Sequence, residues 1–96
     1  AVLDFRRVLF RSLVRQATLL AVGISQNQPF VDGNKRAGFA VAVTFLDANG
    51  FLYVGHPIAF AKQLESVAER TDSLDAATDR FEAWLRENTV PRTSQP

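Results

Sequence analysis

The sequence predicts an all-α fold, a small helical bundle around a buried central helix. Three observations carry that prediction. Apolar residues recur at spacings of three and four in three separate segments, the period of one helix face. A further segment, Ala37 to Leu46, is uncharged and apolar on almost every side. Turn and cap residues divide the segments at Asp32-Gly33, Asn49-Gly50, Pro57 and Thr71-Asp72-Ser73. The 96 residues suffice for one small domain and are too few for two. Hydrophobic residues at 47% and charged residues at 22% are ordinary globular proportions.

The first helix is expected from Leu13 to about Asn27, with Leu13, Ala17, Leu20, Ala21 and Ile24 on its inner face. Gly23 weakens it by about 1 kcal/mol relative to Ala, which points to a close backbone neighbour there. Pro29 disfavours helical geometry at Gln28, so the helix ends at that point. Asp32-Gly33-Asn34 reads as a turn in which Gly33 is free to take positive φ.

The second helix is expected from Asn34 or Lys35 to about Ala48, capped by Asn49-Gly50. Val41, Val43 and Phe45 would also suit a strand, but length and the Asn-Gly stop favour the helix. A helix apolar all round is buried all round, so this one is placed at the centre. Phe51 to Gly55 is a short apolar connection that suits one extended segment.

Pro57 opens a third helix, with Phe60, Ala61, Leu64, Val67 and Ala68 facing inward, ending near Arg70. A fourth follows the Thr71-Asp72-Ser73 cap and runs to about Asn88 on Leu74, Ala77, Phe81, Trp84 and Leu85. Thr89 to Pro96 is expected to be a flexible tail. The domain proper is then 13–88.

Residues 1–12 are set apart for a different reason. Arg6 to Ser12 reads Arg-Arg-Val-Leu-Phe-Arg-Ser, which back-translates into a common short-read sequencing adapter. The segment is expected to be adapter-derived rather than native, and such scars are excluded from fold reasoning. The formal charge of +1 for the whole chain becomes −1 without its three Arg and one Asp. Neither value argues for direct nucleic-acid binding. The absence of Cys excludes thiolate metal sites, and a lone His56 argues against a histidine-rich one. Ala37 to Leu46 is shorter than the roughly 18 apolar residues a membrane span needs. The expectation is a cytoplasmic protein with no membrane partner.

Chemistry concentrates between Gln28 and Arg36. A turn that feeds a helix amino terminus makes an anion site, because free N–H groups and the helix dipole both point there. Lys35 and Arg36 place cations where the dipole disfavours them, which suggests an anionic ligand such as a phosphate. Asp32 could hold Mg²⁺ while phosphate oxygens complete its shell. Asn34 could donate to a phosphate or cap the helix. Asp-Gly-Asn is equally a common turn and Lys-Arg a common solvated pair. The segment lacks the glycine spacing of a Walker A loop.

Taken whole, Pro29-Phe30-Val31-Asp32-Gly33-Asn34-Lys35-Arg36 resembles the signature of the Fic/Doc family: His, any residue, Phe, any residue, Asp/Glu/Asn, Gly-Asn, Gly or Lys, Arg. The helical pattern from Leu13 to Asn88 looks like that family too, whose amino-terminal helices and target-docking flap would lie outside this chain. Fic enzymes carry Gly after Gly-Asn and transfer AMP to a protein hydroxyl. Doc-type, death-on-curing toxins carry Lys, as Lys35 here, and transfer the terminal phosphate of ATP to a threonine of elongation factor Tu. They are neutralised by a cognate antitoxin.

The resemblance implies that Phe30 anchors the loop and Asp32 positions Mg²⁺ or nucleotide. It implies that Gly33, Asn34, Lys35 and Arg36 bind the phosphates of ATP. Gln28 stands where the family has its catalytic His. An amide cannot accept the hydroxyl proton at physiological pH, so loss of general-base catalysis is expected to cost about 10²–10⁴-fold. The alternatives are a pseudoenzyme that binds nucleotide or an antitoxin-like partner, a Fic-type AMP transferase, and a plain helical interaction domain. His56 is read as a loop or cap residue, and Trp84 as core.

Overall fold

The computed structural model describes residues 4–26 and 31–92, and the side chains of all of these except 31–33. Four helices make up most of it: α1 (Phe5–Gln26), α2 (Val31–Ala48), α3 (Pro57–Ala68) and α4 (Leu74–Glu87). Two short strands, β1 (Phe51–Tyr53) and β2 (Thr89–Pro91), form an antiparallel pair in the register Phe51↔Pro91, Leu52↔Val90 and Tyr53↔Thr89. The all-α class read from the sequence is the class observed.

Helix α1 buries Leu13, Val14, Ala17, Thr18, Ala21 and Val22 against α2, α3 and α4. The stripe is rotated from the expected one. Leu20 is exposed, whereas Val14 and Thr18 are fully buried. This helix is also long and apolar enough by composition to cross a membrane, and its apolarity is used in part by that stripe. It begins at Phe5, so it continues through the segment expected to be non-native. Within 5–12, Phe10 alone is partly buried, its ring 5.2 Å from that of Phe51, while Phe5, Val8 and Leu9 are exposed.

Helix α2 departs from its expected surroundings. Its fully covered stripe is Gly38, Ala42 and Leu46, three positions one turn apart, while Ala37, Ala40, Val41 and Thr44 face outward. Small residues explain the pattern. Gly38 and Ala42 let α1 approach closely, and the outward Ala and Thr leave little apolar area to hide. The helix therefore has one buried side rather than neighbours all round.

The close backbone approach expected at Gly23 is found at Gly38 instead. A Cβ at Gly23 would meet nothing within 4 Å, whereas one at Gly38 would lie 3.0 Å from the Ala21 carbonyl oxygen. Past α2, Gly50 takes φ of 88°, the left-handed cap geometry that glycine adopts without steric cost.

The aromatic core sits where α3 and α4 meet α2 and β1. The fully buried Phe60 ring has Phe39 at 5.0 Å, Phe81 at 5.3 Å, Tyr53 at 5.4 Å and Trp84 at 5.9 Å, mostly edge to face. Trp84 is thus a core residue, as its helix face implied. Ser73 caps α4, its Oγ accepting from the Ala76 N–H at 3.0 Å.

Thr89–Pro91 is not a frayed tail. Besides the β1 pairing, the Asn88 carbonyl accepts from the Val54 N–H at 2.8 Å. The Gly50 carbonyl accepts from the Arg92 N–H at 2.8 Å, and the Arg92 guanidinium pairs with Asp47 at 2.8 Å. Thr89 is buried, and its hydroxyl donates to the Leu85 carbonyl at 2.7 Å.

Candidate functional site

Helix α2 starts at Val31, three or four residues earlier than the sequence suggested. Asp32-Gly33-Asn34 is therefore the first helical turn rather than a turn before the helix, and Gly33 needs no positive φ there. The backbone N–H groups at the very start of α2 are left without intrahelical acceptors. Lys35 and Arg36 move into the second turn, where the dipole opposes a cation less. Gln28 and Phe30 lie outside the described residues. Asp32 and Gly33 have described backbones, and their expected roles rest on sequence.

Asn34 is half-buried, and its Nδ2 is fully buried with no hydrogen-bond acceptor among the described residues. A buried amide N–H₂ left so costs about 1–3 kcal/mol. Placed in the first turn of α2, that donor suits an oxygen of an anion held at the same helix end.

The Lys35 side chain is only 16% exposed, and its Nζ lies 3.5 Å from Glu65 Oε1 of α3. Arg36 is exposed. The two cations share a cavity of about 400 Å³ between α2 and α3, lined otherwise by Phe39, Pro57, Ile58 and Ala61. One side of the cavity is thus cationic and the other apolar. A larger cavity, of about 580 Å³, involves the start of α1, the strand pair and Arg86, and none of the motif residues lines it.

Phe39, Ile58, Ala61 and Glu65 were missed as site residues. Phe39 was legible in principle, since it lies one turn beyond Lys35 and Arg36 on the same helix. The α3 residues were not, because nothing in the order of the chain says that the α3 amino terminus packs beside that of α2.

His56 adjoins Pro57 and Ile58, which line the cavity. It is the N-cap of α3, its Nδ1 accepting from the Ile58 N–H at 3.0 Å. Its carbonyl is also held, by the Tyr53 hydroxyl donating at 2.7 Å. His56 is a cap, as the sequence suggested.

Among the described residues no three His, Cys, Asp or Glu side chains gather as a metal cage. A divalent cation here would depend on few protein ligands together with the oxygens of its own phosphate ligand, the usual mode for Mg²⁺.

Residues 6–46 match the sequence model of the Fic/DOC family. The match covers less than half of the chain and includes the whole segment from Gln28 to Arg36 together with most of α1 and α2. No curated protein and no solved structure matches the chain.

Proposed function

We propose that this chain is a domain of the Fic/DOC family, of the Doc type, that holds a nucleoside triphosphate at the amino end of α2 and has lost most of its transfer activity. The observation that carries the reading is the family match over 6–46, with Asp32, Gly33, Asn34, Lys35 and Arg36 all retained inside it. The cationic cavity at Lys35 and Arg36 and the orphaned Asn34 donor support it.

Each residue then has a task. The free N–H groups of the first α2 turn and Asn34 Nδ2 receive phosphate oxygens. Arg36 grips a phosphate through two donors, and Lys35 offsets the charge that grows on the phosphoryl oxygens during transfer. Asp32 would hold Mg²⁺, which when bound supplies charge neutralisation between the phosphates. Phe30 would fix the loop that precedes the helix.

In the parent reaction a protein hydroxyl attacks the terminal phosphorus, ADP leaves, and the hydroxyl proton passes to a base. Gln28 offers an amide where that base is required, and an amide has no basic lone pair for the purpose. Binding is retained and proton removal is not. From the resemblance, the target would be a threonine of elongation factor Tu, the neutralising partner a cognate antitoxin, and the compartment the cytoplasm.

The specific observation of Gln28 favours a second reading, a pseudoenzyme that binds nucleotide or a partner without turnover. Both readings are tested by Gln28→His, with ATP labelled at either the terminal or the innermost phosphate. Transfer of the terminal label to a protein target by the variant, about 10²–10⁴-fold above the parent, supports the Doc-type reading. Transfer of the innermost label would support AMP transfer instead. A folded variant that binds ATP and transfers neither label would leave the pseudoenzyme.

A further inference from the structure

The chain leaves α2 through Asp47-Ala48-Asn49-Gly50 and enters β1 at Phe51. Of its Asn residues, Asn49 alone precedes a Gly. Such a pair is chemically reactive. With no Cβ on the following residue, the main-chain nitrogen of that residue can reach the side-chain carbonyl carbon of the Asn. Asn49 is exposed, so water has access to it. In the fold, both reacting groups are engaged. Asn49 Nδ2 donates to the Phe45 carbonyl at 2.8 Å, and the Gly50 N–H donates to the Asp47 carbonyl at 3.1 Å. Arg92, just past β2, clamps both sides of the turn. Its N–H donates to the Gly50 carbonyl at 2.8 Å. Its guanidinium donates to the Asp47 carbonyl at 2.9 Å and pairs with the Asp47 carboxylate at 2.8 Å.

We propose that Asn49 is a deamidation site that the C-terminal strand keeps closed. The inference goes beyond the nucleotide reading and does not depend on it. The Gly50 nitrogen gives up its proton and bonds to Asn49 Cγ. The bond from Cγ to Nδ2 breaks, and the leaving nitrogen takes the proton away as ammonia. Water then opens the resulting succinimide at either carbonyl, which yields Asp or isoaspartate. Both products place a carboxylate at the carboxyl end of α2, beside Asp47, where the dipole disfavours it. Both lose the amide bond to the Phe45 carbonyl. The isoaspartate also adds a methylene to the main chain between α2 and β1, which shifts Gly50 against Arg92. Conversion therefore loosens the clamp that had prevented it.

The full chain is incubated at mildly alkaline pH, folded and in urea, and conversion of Asn49 is read by peptide mass spectrometry with Asn88 as the internal comparison. In urea, Asn49 should convert well ahead of Asn88. Folding should slow it about 10- to 100-fold, because the hydrogen bonds of the turn must break first. Arg92→Ala, shown by circular dichroism to be folded, should convert about threefold or more faster than the folded parent. Hydrogen exchange at the Gly50 N–H of the parent measures the same opening without a variant and should be correspondingly slow. Equal rates for the folded and urea-unfolded parent, or Gly50 exchange at the unfolded rate, would overturn the closed state. Conversion of Asn49 no faster than Asn88 in urea would overturn the site itself. Protection unchanged in Arg92→Ala would overturn the role of the strand.

Discussion

The Ala21 carbonyl oxygen of α1 lies 3.0 Å from the point a Gly38 side chain would occupy on α2, and Leu64 Cδ1 of α3 lies 3.4 Å from the same point. Three helices meet at that glycine. The side-chain end of Leu64 can give way, but a carbonyl inside α1 cannot move without disturbing the helix. Gly38→Ala is expected to lower stability by about 1–3 kcal/mol. Gly23, with open space around it, should behave in the opposite way, and Gly23→Ala is expected to gain about 0.5–1 kcal/mol. Urea denaturation of the two variants checks both signs.

Truncation after Asn88 is expected to destabilise the domain. It removes Thr89, with its buried hydroxyl bond to the Leu85 carbonyl, the β1–β2 pairing, and the Arg92 contacts to Gly50 and Asp47. Each hydrogen bond contributes about 1 kcal/mol net, so a fall of several degrees or more in the melting temperature should follow. A flexible tail would leave it unchanged.

Tyr53 links pH to stability. Burial raises its phenol above the usual range, because the protein interior disfavours the phenolate. The folded state therefore keeps the proton that the unfolded chain gives up. The contribution is present in full below the unfolded value near pH 10 and is lost as pH rises through the higher folded value. Tyr53→Phe should lose about 1 kcal/mol at neutral pH with the bond to the His56 carbonyl. It should also show a weaker fall in stability above pH 10 than the parent. Parallel alkaline slopes for the two proteins would contradict this account.

Helices α3 and α4 were legible nearly to the residue, because each has a cap, a clean apolar face and polar residues outside it. The start of α2 was not. Asp-Gly-Asn is good turn chemistry, and the competing preference for a first helical turn leaves no separate mark in the residues. The strand at Thr89–Pro91 was hidden for a different reason. Three residues give no alternation to read, and their partner Phe51–Tyr53 is distant in sequence. Burial around α2 was overread, since small side chains such as Ala37 and Ala40 are apolar without requiring cover. Of the site, the cations and Asn34 were visible in the motif itself. Glu65, Pro57, Ile58 and Ala61 were not, since they come from α3 through packing alone.

The amino-terminal segment can be checked without folding anything. We propose that residues 1–12 are adapter-derived, although α1 runs through the segment and the family match begins at residue 6. Sequencing an amplicon that spans this point is expected to give different codons upstream of Leu13. Recovering codons for Arg6 to Ser12 unchanged from such an amplicon would overturn the proposal.

The central claim is that the phosphate-holding half of the site persists where the proton-accepting half is gone. Calorimetric titration of Mg-ATP into the parent chain and into Lys35→Ala/Arg36→Ala tests it most directly. The account predicts saturable binding by the parent and a loss of at least tenfold in the double variant, each buried or bidentate phosphate contact contributing about 1.5–3 kcal/mol. Affinity that is absent from the folded parent, or indifferent to both cations, would contradict it.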